Sequence, residues 1–486
     1  MTFVSELKPE VLWRHFDEIL TIPRGSKNEG RMREYVLKCA KENGLSSKTD
    51  DLGNIVICKK AHPGFEKSET LILQAHLDMV NEKNADVVHD FESDPIRPQL
   101  DGDNLKATGT TLGADNGIGV AAMLAIADDK VSPHGPLELL FTLDEETGLT
   151  GAKELGTDLL TGNRLLNLDS EEEDVLLIGC AGGGDSTLTL GISHTKDFSS
   201  DATCLRVVLS GLRGGHSGAE IHLQRGNSIK LLTRALLDVR QEISFDLAGI
   251  GGGNLHNAIP REAFAEIVVS KADRNNFKKH LLTAAEKIRA EFAGVESDLQ
   301  CACTEQDLPG QIYEKTMAER LLHLLNVLPH GVLSMSNAIP GLVETSANVA
   351  AVNEVGNDIS ILMSIRSSVG SAKDDLRQRI ASCAALAQAN IKHGNGYPEW
   401  QPNINSELLA VVKKVAEEVM GSEPRIEAIH AGLECGIISE KYPEMDMVSL
   451  GPEIRNPHSP DEYVRIDSVQ TFYKTLLATL VAVAEK

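Results

Sequence analysis

No apolar run in the sequence approaches the ~20 residues that a membrane-spanning helix requires. The opening Met1-Thr-Phe-Val-Ser-Glu-Leu-Lys-Pro-Glu10 has no basic stretch followed by an apolar one, so no signal peptide is expected and the expected location is cytoplasmic. Positive charge is scarce: 47 Lys and Arg face 71 Asp and Glu, and the net charge of −24 disfavours nucleic acid and anionic membranes as partners. Cysteine is thinly spread. Of the eight, only Cys301 and Cys303 are close together, and no second Cys or His cluster flanks them, which argues for reduced thiols and against a structural zinc site. Also missing are a P-loop lysine and a dinucleotide GxGxxG following a strand, so the Gly-rich stretch 108–120 is not read as a phosphate cradle.

What is present is ordinary globular composition, 42% apolar and 24% charged, in a chain of 486 residues, too long for one core. Residues 7–44 read as two helices, 52–58 and 70–75 as strands, and the Ala-rich 118–128 as a helix. This alternation predicts an α/β domain. At Gly179-Cys-Ala-Gly-Gly-Gly-Asp185 the composition shifts as at a hinge. Residues 184–395 then alternate strands and helices independently, after which the first pattern returns. The expected organisation is a catalytic domain in two parts, 1–183 and 396–486, with 184–395 inserted as an α+β lid.

The chemistry-bearing residues sit where strands end. The strand through 71–73 runs into His76-Leu-Asp78, and residues two apart on a strand share a face. The apolar run 137–143 ends in Asp144-Glu145-Glu146, and 164–168 ends in Asp169. Ligands of open α/β sheets bind beyond the carboxyl ends of strands, so these ends fit one site better than three. Asp115, among glycines, and His458, in a Pro-bounded loop, complete the set. His76, Asp115, Glu146, Asp169 and His458 suit two borderline divalent ions such as zinc, one carboxylate bridging. Asp78 suits a supporting role, orienting the His76 ring. Adjacent side chains point apart, so of Glu145 and Glu146 one can ligate while the other moves a proton. Such a centre hydrolyses amides or phosphate esters. Each feature also has a plainer reading: His-x-Asp as a surface pair, the acids 171–174 as a solvated face, the Glu pair as an acidic helix start.

The motifs His76-Leu-Asp78, Gly113-Ala-Asp115-Asn-Gly117, Asp144-Glu-Glu-Thr-Gly148, Asp169-Ser, Gly215-His216-Ser and His458-Ser-Pro resemble those of the zinc-dependent amidohydrolase and exopeptidase family. That family includes aminoacylases, carboxypeptidase G and carnosinase-type dipeptidases. Gln74-Ala-His-Leu-Asp-Met-Val80 and His430-Ala-Gly-Leu-Glu-Cys-Gly436 resemble, more narrowly, its members that split Xaa-His dipeptides. The resemblance implies a discontinuous di-zinc exopeptidase fold with an inserted lid, and a metal-dependent dipeptidase acting on Xaa-His (carnosine-type) substrates, with Co2+ or Mn2+ as substitute ions. It implies that Asp115 bridges two zincs, His76 and Asp169 completing one and Glu146 and His458 the other, with Glu145 as general base. A cis peptide after Asp115 is implied too. By the same resemblance His216 stabilises the oxyanion, in its own or a neighbouring subunit, Asn257 and Arg366 hold the substrate carboxylate, and the lid makes a homodimer contact. The alternatives are an N-acyl-amino-acid deacylase, a tripeptidase, or a non-catalytic peptide-binding protein on the same fold.

Overall fold

Short runs rich in Leu, Ile and Val form the centre of the first of two structural units. A computed structural model describes residues 2–486. Its first unit runs to Cys180 and takes up Trp400–Ala428 and Leu433–Lys486, and its second comprises Ala181–Glu399 with Ile429–Gly432.

In the first unit the sheet strands are β1 (Ser46–Thr49), β2 (Ile55–Lys59), β3 (Leu71–His76), β4 (Leu137–Thr142), β5 (Arg164–Asn167), β6 (Val175–Cys180), β7 (Arg425–Ile429) and β8 (Asp446–Ser449). Their order is β1-β2-β4-β3-β5-β8-β6-β7. Pairing is parallel at the centre, β3 with β4 and β5, and β5 with β8, and antiparallel at β1–β2, β2–β4 and β8–β6. Strands β3 and β4 are buried along their whole length, as near-continuous apolar strands of a covered parallel sheet should be. Helix α1 (Glu10–Ile19) packs against α2 (Ala114–Asp128), and α2 against β3. From Ile118 to Ala127 every residue of α2 is buried, which matches its all-round apolar sequence.

A ladder of polar side chains crosses this apolar sheet. Ser449 Oγ donates to Asn167 Oδ1 (2.5 Å), Asn167 Nδ2 to Gln74 Oε1 (2.6 Å), and Gln74 Nε2 to Glu434 Oε2 (2.6 Å) and Thr142 Oγ1 (3.1 Å). Thr142 Oγ1 also donates to Glu434 (2.7 Å), and all five side chains are fully buried. Parallel register makes this possible, since Gln74 lies beside Asn167 on β5 and His76 beside Thr142 on β4. The strand ends are thereby locked laterally.

The second unit is α+β. Its nine-stranded sheet runs 300–306, 202–210, 263–270, 246–252, 343–355, 358–367, 182–191 and 390–397, with 331–335 added against 343–355, and its pairings are antiparallel. Helices Ser228–Arg240, Arg274–Glu291, Lys315–Val327 and Gly370–Leu386 contribute Leu232, Phe277, Leu321 and Leu376 to one core with the sheet. The chain leaves the first unit at Cys180, inside the glycine stretch read as a hinge, but the glycines that follow are not flexible. Gly182–Gly191 is a strand paired on both sides, and a Cβ at Gly183 would strike the Tyr397 ring. Close approach of a side chain, not flexibility, accounts for the composition there.

Asn167→Ala removes the middle rung of the ladder and leaves Gln74 Oε1 and the Ser449 hydroxyl unpaired, a destabilisation of about 2–4 kcal/mol. Both tryptophans, Trp13 and Trp400, lie in the first unit, so urea unfolding followed by Trp fluorescence reads this unit. An unchanged midpoint would show that the ladder contributes nothing.

Candidate metal centre

Three parallel strands deliver acids and an imidazole to one edge of the sheet. His76, the last residue of β3, points Nε2 at Asp115 Oδ1 (3.0 Å) and Asp169 Oδ1 (3.2 Å). His458 Nε2 lies 3.0 Å from Glu146 Oε2 and 3.5 Å from Asp115 Oδ2. Asp115 therefore turns one oxygen to each imidazole. Potential donor atoms fall into three groups, His76/Asp115/Asp169, His76/Glu145/Glu146 and Asp115/Glu146/His458, each within 4.8 Å. All five residues read from the sequence as ligands come together, and Glu145 with them. The Asp115–Asn116 peptide is cis, and Asn116 Nδ2 donates to Asp169.

Asp78 stands behind His76, its Oδ1 3.3 Å from Nδ1. It also accepts from Ser26 Oγ (2.8 Å) and from the backbone N–H groups of Glu145 (3.1 Å) and Glu146 (3.2 Å). Burial pushes its pKa up, but the His76 ring and these hydrogen bonds outweigh burial and hold it at about 2. Glu145 and Glu146 do not end a strand. They open a one-turn helix, Glu145–Gly148, whose first N–H groups Asp78 satisfies. The third acid of the run, Asp144, has a left-handed backbone and accepts from the hydroxyls of Thr147 and Thr150, so it holds the turn rather than a ligand.

Burial raises the pKa of Glu145, Glu146 and Asp169, and takes Glu171 to about 8 and Glu434 to about 7. Hydrogen bonds to Asp115 and Glu146 take His458 up to about 11. His76 rises despite its burial because Asp169 and Asp115 flank it. Asp115, between the two rings, is lowered against its burial. Glu146 Oε1 is buried with no hydrogen-bond partner. Acids this crowded, raised by burial and facing two imidazoles, are short of positive charge, and the N/O donor set fits divalent ions of the zinc type. Glu171 departs from the solvated acidic face expected of 171–174. It is turned inward, near Asp115, while Glu172 and Asp174 pair with Arg425, and Glu173 with Arg465.

The second unit holds His216, Asn257 and Arg366. His216 Nδ1 accepts from the N–H groups of Gly218 (3.3 Å) and Ala219 (3.0 Å), which leaves the ring proton on Nε2. Burial, then Arg366, lowers its pKa, so the ring is a neutral Nε2–H donor. The Asn257 carbonyl accepts from Ser217 N (2.8 Å), setting Asn257 beside this turn. Arg366 is 8% exposed, donates from Nη1 to the Tyr397 hydroxyl (2.6 Å), and leaves Nε buried and unpartnered. No carboxylate lies within ion-pair distance of its guanidinium among the described residues. His430, its Nε2 2.7 Å from Ser346 Oγ, is a further neighbour, and Arg366 acts with burial to lower its pKa to about 3. With Nε unpartnered, this buried guanidinium keeps donor capacity beyond its bond to Tyr397. Sequence reasoning quoted His430 in a motif without giving it a role, and missed Tyr397, the last residue of strand 390–397, which no motif marks.

A family model described as peptidase family M20/M25/M40 matches residues 72–482. The cytosol non-specific dipeptidase of Escherichia coli K12 is 44% identical over 481 residues, covering 99% of each chain. The aminoacylhistidine dipeptidase of Vibrio alginolyticus has a crystal structure that matches with a TM-score of 0.93 at 42% identity, over 99% of this chain and 98% of that one. An aminopeptidase of Bacillus cereus, at 15% identity and a TM-score of 0.57 over 98% of this chain and 99% of its own, shares the fold. With a family match spanning most of its length and a relative this similar from end to end, the chain belongs to peptidase family M20/M25/M40.

Proposed function

We propose that the protein is a metal-dependent dipeptidase whose substrates include Xaa-His dipeptides. The observation that carries the reading is Asp115, one carboxylate oxygen facing His76 and the other His458, with Asp169 beside the first ring and Glu146 beside the second. In this reading His76 and Asp169 would hold one divalent ion and Glu146 and His458 another, with Asp115 shared by both; zinc suits the donors, with cobalt or manganese as substitutes. Two ions so held would polarise the scissile carbonyl and lower the pKa of a water between them. Glu145 accepts a proton from the attacking water and passes it to the leaving amine. Asp78 fixes the His76 ring and, through the N–H groups of 145 and 146, the turn that carries the base.

The second unit supplies recognition. Arg366 and Asn257 hold the free carboxylate of the dipeptide, a fork of donors matched to a planar anion. His216, with its proton on Nε2, donates to the oxyanion as the carbonyl becomes tetrahedral. The names of the relatives, a non-specific dipeptidase and an aminoacylhistidine dipeptidase, support dipeptides as the substrate class with Xaa-His among them. We also infer a homodimer formed through the second unit and a cytoplasmic location; no helix is long and apolar enough to cross a membrane among the described residues, and the Escherichia coli relative is named for the cytosol.

Glu145→Ala is expected to keep its metal and to lose about 100- to 10,000-fold in kcat, whereas His76→Ala loses metal and turnover together. Metal analysis beside hydrolysis of β-Ala-His and Gly-His, with and without chelator, checks both; full activity in Glu145→Ala would remove it from the role of base. Arg366→Ala is expected to weaken kcat/KM for dipeptides by about 10- to 100-fold, the worth of a hydrogen bond to a charged group. Assayed on Xaa-His and its C-terminal amide, the wild-type enzyme should prefer the free acid and the variant should lose that preference. A preference surviving intact in the variant would place carboxylate recognition elsewhere.

A further inference from the structure

Two buried charged side chains outside the ligand set, Arg24 and Glu462, grip the backbone of the loop that leads into Asp115. Each is 2% exposed. Glu462 Oε2 accepts from the N–H groups of Leu112 (2.7 Å) and Gly113 (2.9 Å), and Oε1 from those of Ala114 (2.8 Å) and Asp115 (3.4 Å). Arg24 works on the carbonyl side: Nη1 donates to Leu77 O (3.0 Å) and Asp78 O (2.6 Å), and Nη2 to Gly113 O. The loop is shaped around the guanidinium. Gly113 has φ +72°, and a Cβ there or at Gly117 would run into Arg24.

A cap for helix α2 would account for a carboxylate at 112–115, but a short Ser, Thr or Asp does that without burying a charge. The choice of acceptors and donors says more. Every hydrogen bond of the Arg24 guanidinium goes to the segment that follows His76 or to the loop that presents Asp115. Glu462 lies four positions beyond His458 in one loop, and the hydrogen bonds of its carboxylate go to the loop of Asp115. That loop holds left-handed backbone at Asn456 and His458, a conformation that persists only where neighbours enforce it. Arg24 therefore ties His76 to Asp115, and Glu462 ties His458 to Asp115. Neither touches a donor atom of the centre.

We propose that Arg24 and Glu462 are positioning residues that set the spacing of His76, Asp115 and His458 before any metal arrives, so that both ion positions lose affinity when either residue is changed. The inference rests on the two-metal reading given above. Partners that orient ligands in this indirect way are worth about 10- to 100-fold in metal affinity.

The test uses the full chain with Glu462→Gln, which keeps volume but sets an NH2 group against backbone N–H donors, and Arg24→Lys, which keeps the charge but cannot span both segments. Zinc affinity is measured by competition with a chromogenic chelator, and the metal-free proteins are melted in parallel to establish the folded fraction. Both variants, folded without metal, are expected to bind zinc about 10- to 100-fold more weakly than wild type at both ion positions. A role in folding alone would lower the metal-free melting temperature and leave zinc affinity of the folded protein unchanged. Wild-type affinity in both folded variants overturns the proposal, and so does failure of both to fold without metal, since the pair would then hold the fold rather than the ligand spacing. A wild-type protein that binds no divalent ion would overturn the two-metal reading itself, a result distinct from either.

Discussion

Concentrated negative charge at the ends of three parallel strands is the constraint around which the first unit is built. Burying one carboxylate is costly, and burying several side by side is possible only if protons or cations share the site. Here His76 and His458 carry raised pKa values, and Glu145, Glu146, Asp169 and Glu171 lean toward their neutral forms. Such a cluster would spread apart if its backbone were free to move. The polar ladder Ser449-Asn167-Gln74-Glu434 fixes the strand ends sideways, and Asp78 pins the turn at Glu145. Arg24 and Glu462 do the same for the loop of Asp115.

In the second unit the buried charge that stands apart is positive. Arg366 is buried without an acidic partner among the described residues, and the two histidines near it are kept neutral, so they add hydrogen-bonding capacity without further charge. One unit is suited to cations and the other to an anion. An acidic protein needs a local positive site of this sort to attract a carboxylate against its mean field.

The residues that meet in the centre were legible in the sequence because their chemistry is in their side chains and they follow apolar strands, as His76 and Asp169 do, or stand in marked loops, as Asp115 does among glycines and His458 between prolines. What acts through the backbone was not legible. Glu462 reaches loop N–H groups about 350 positions away, and Arg24 a carbonyl 89 positions on, with no periodicity or motif to mark either. Glycine was half legible: the stretch 179–185 marks where the chain leaves the first unit, but Gly182–Gly184 is a strand beneath Tyr397 and Arg377 rather than a flexible joint. The acid run at 171–174 failed as a single unit for a similar reason. Glu172, Glu173 and Asp174 meet arginines from distant segments, and only Glu171 turns inward.

Asp144, Glu145 and Glu146 show why composition alone could not separate these roles. Three consecutive acids have three environments because the backbone reverses between them. Asp144 takes a left-handed conformation and receives the hydroxyls of Thr147 and Thr150. The next two begin a helical turn, where adjacent side chains diverge by roughly 100°, sending Glu146 toward His458 while Glu145 stays half-buried near His76. Asp78 makes that turn possible by accepting its first two N–H groups while also facing His76 Nδ1. A single carboxylate thus sets the orientation of an imidazole and of two acids at once. The same contacts hold its pKa at about 2, so it stays an ionised acceptor.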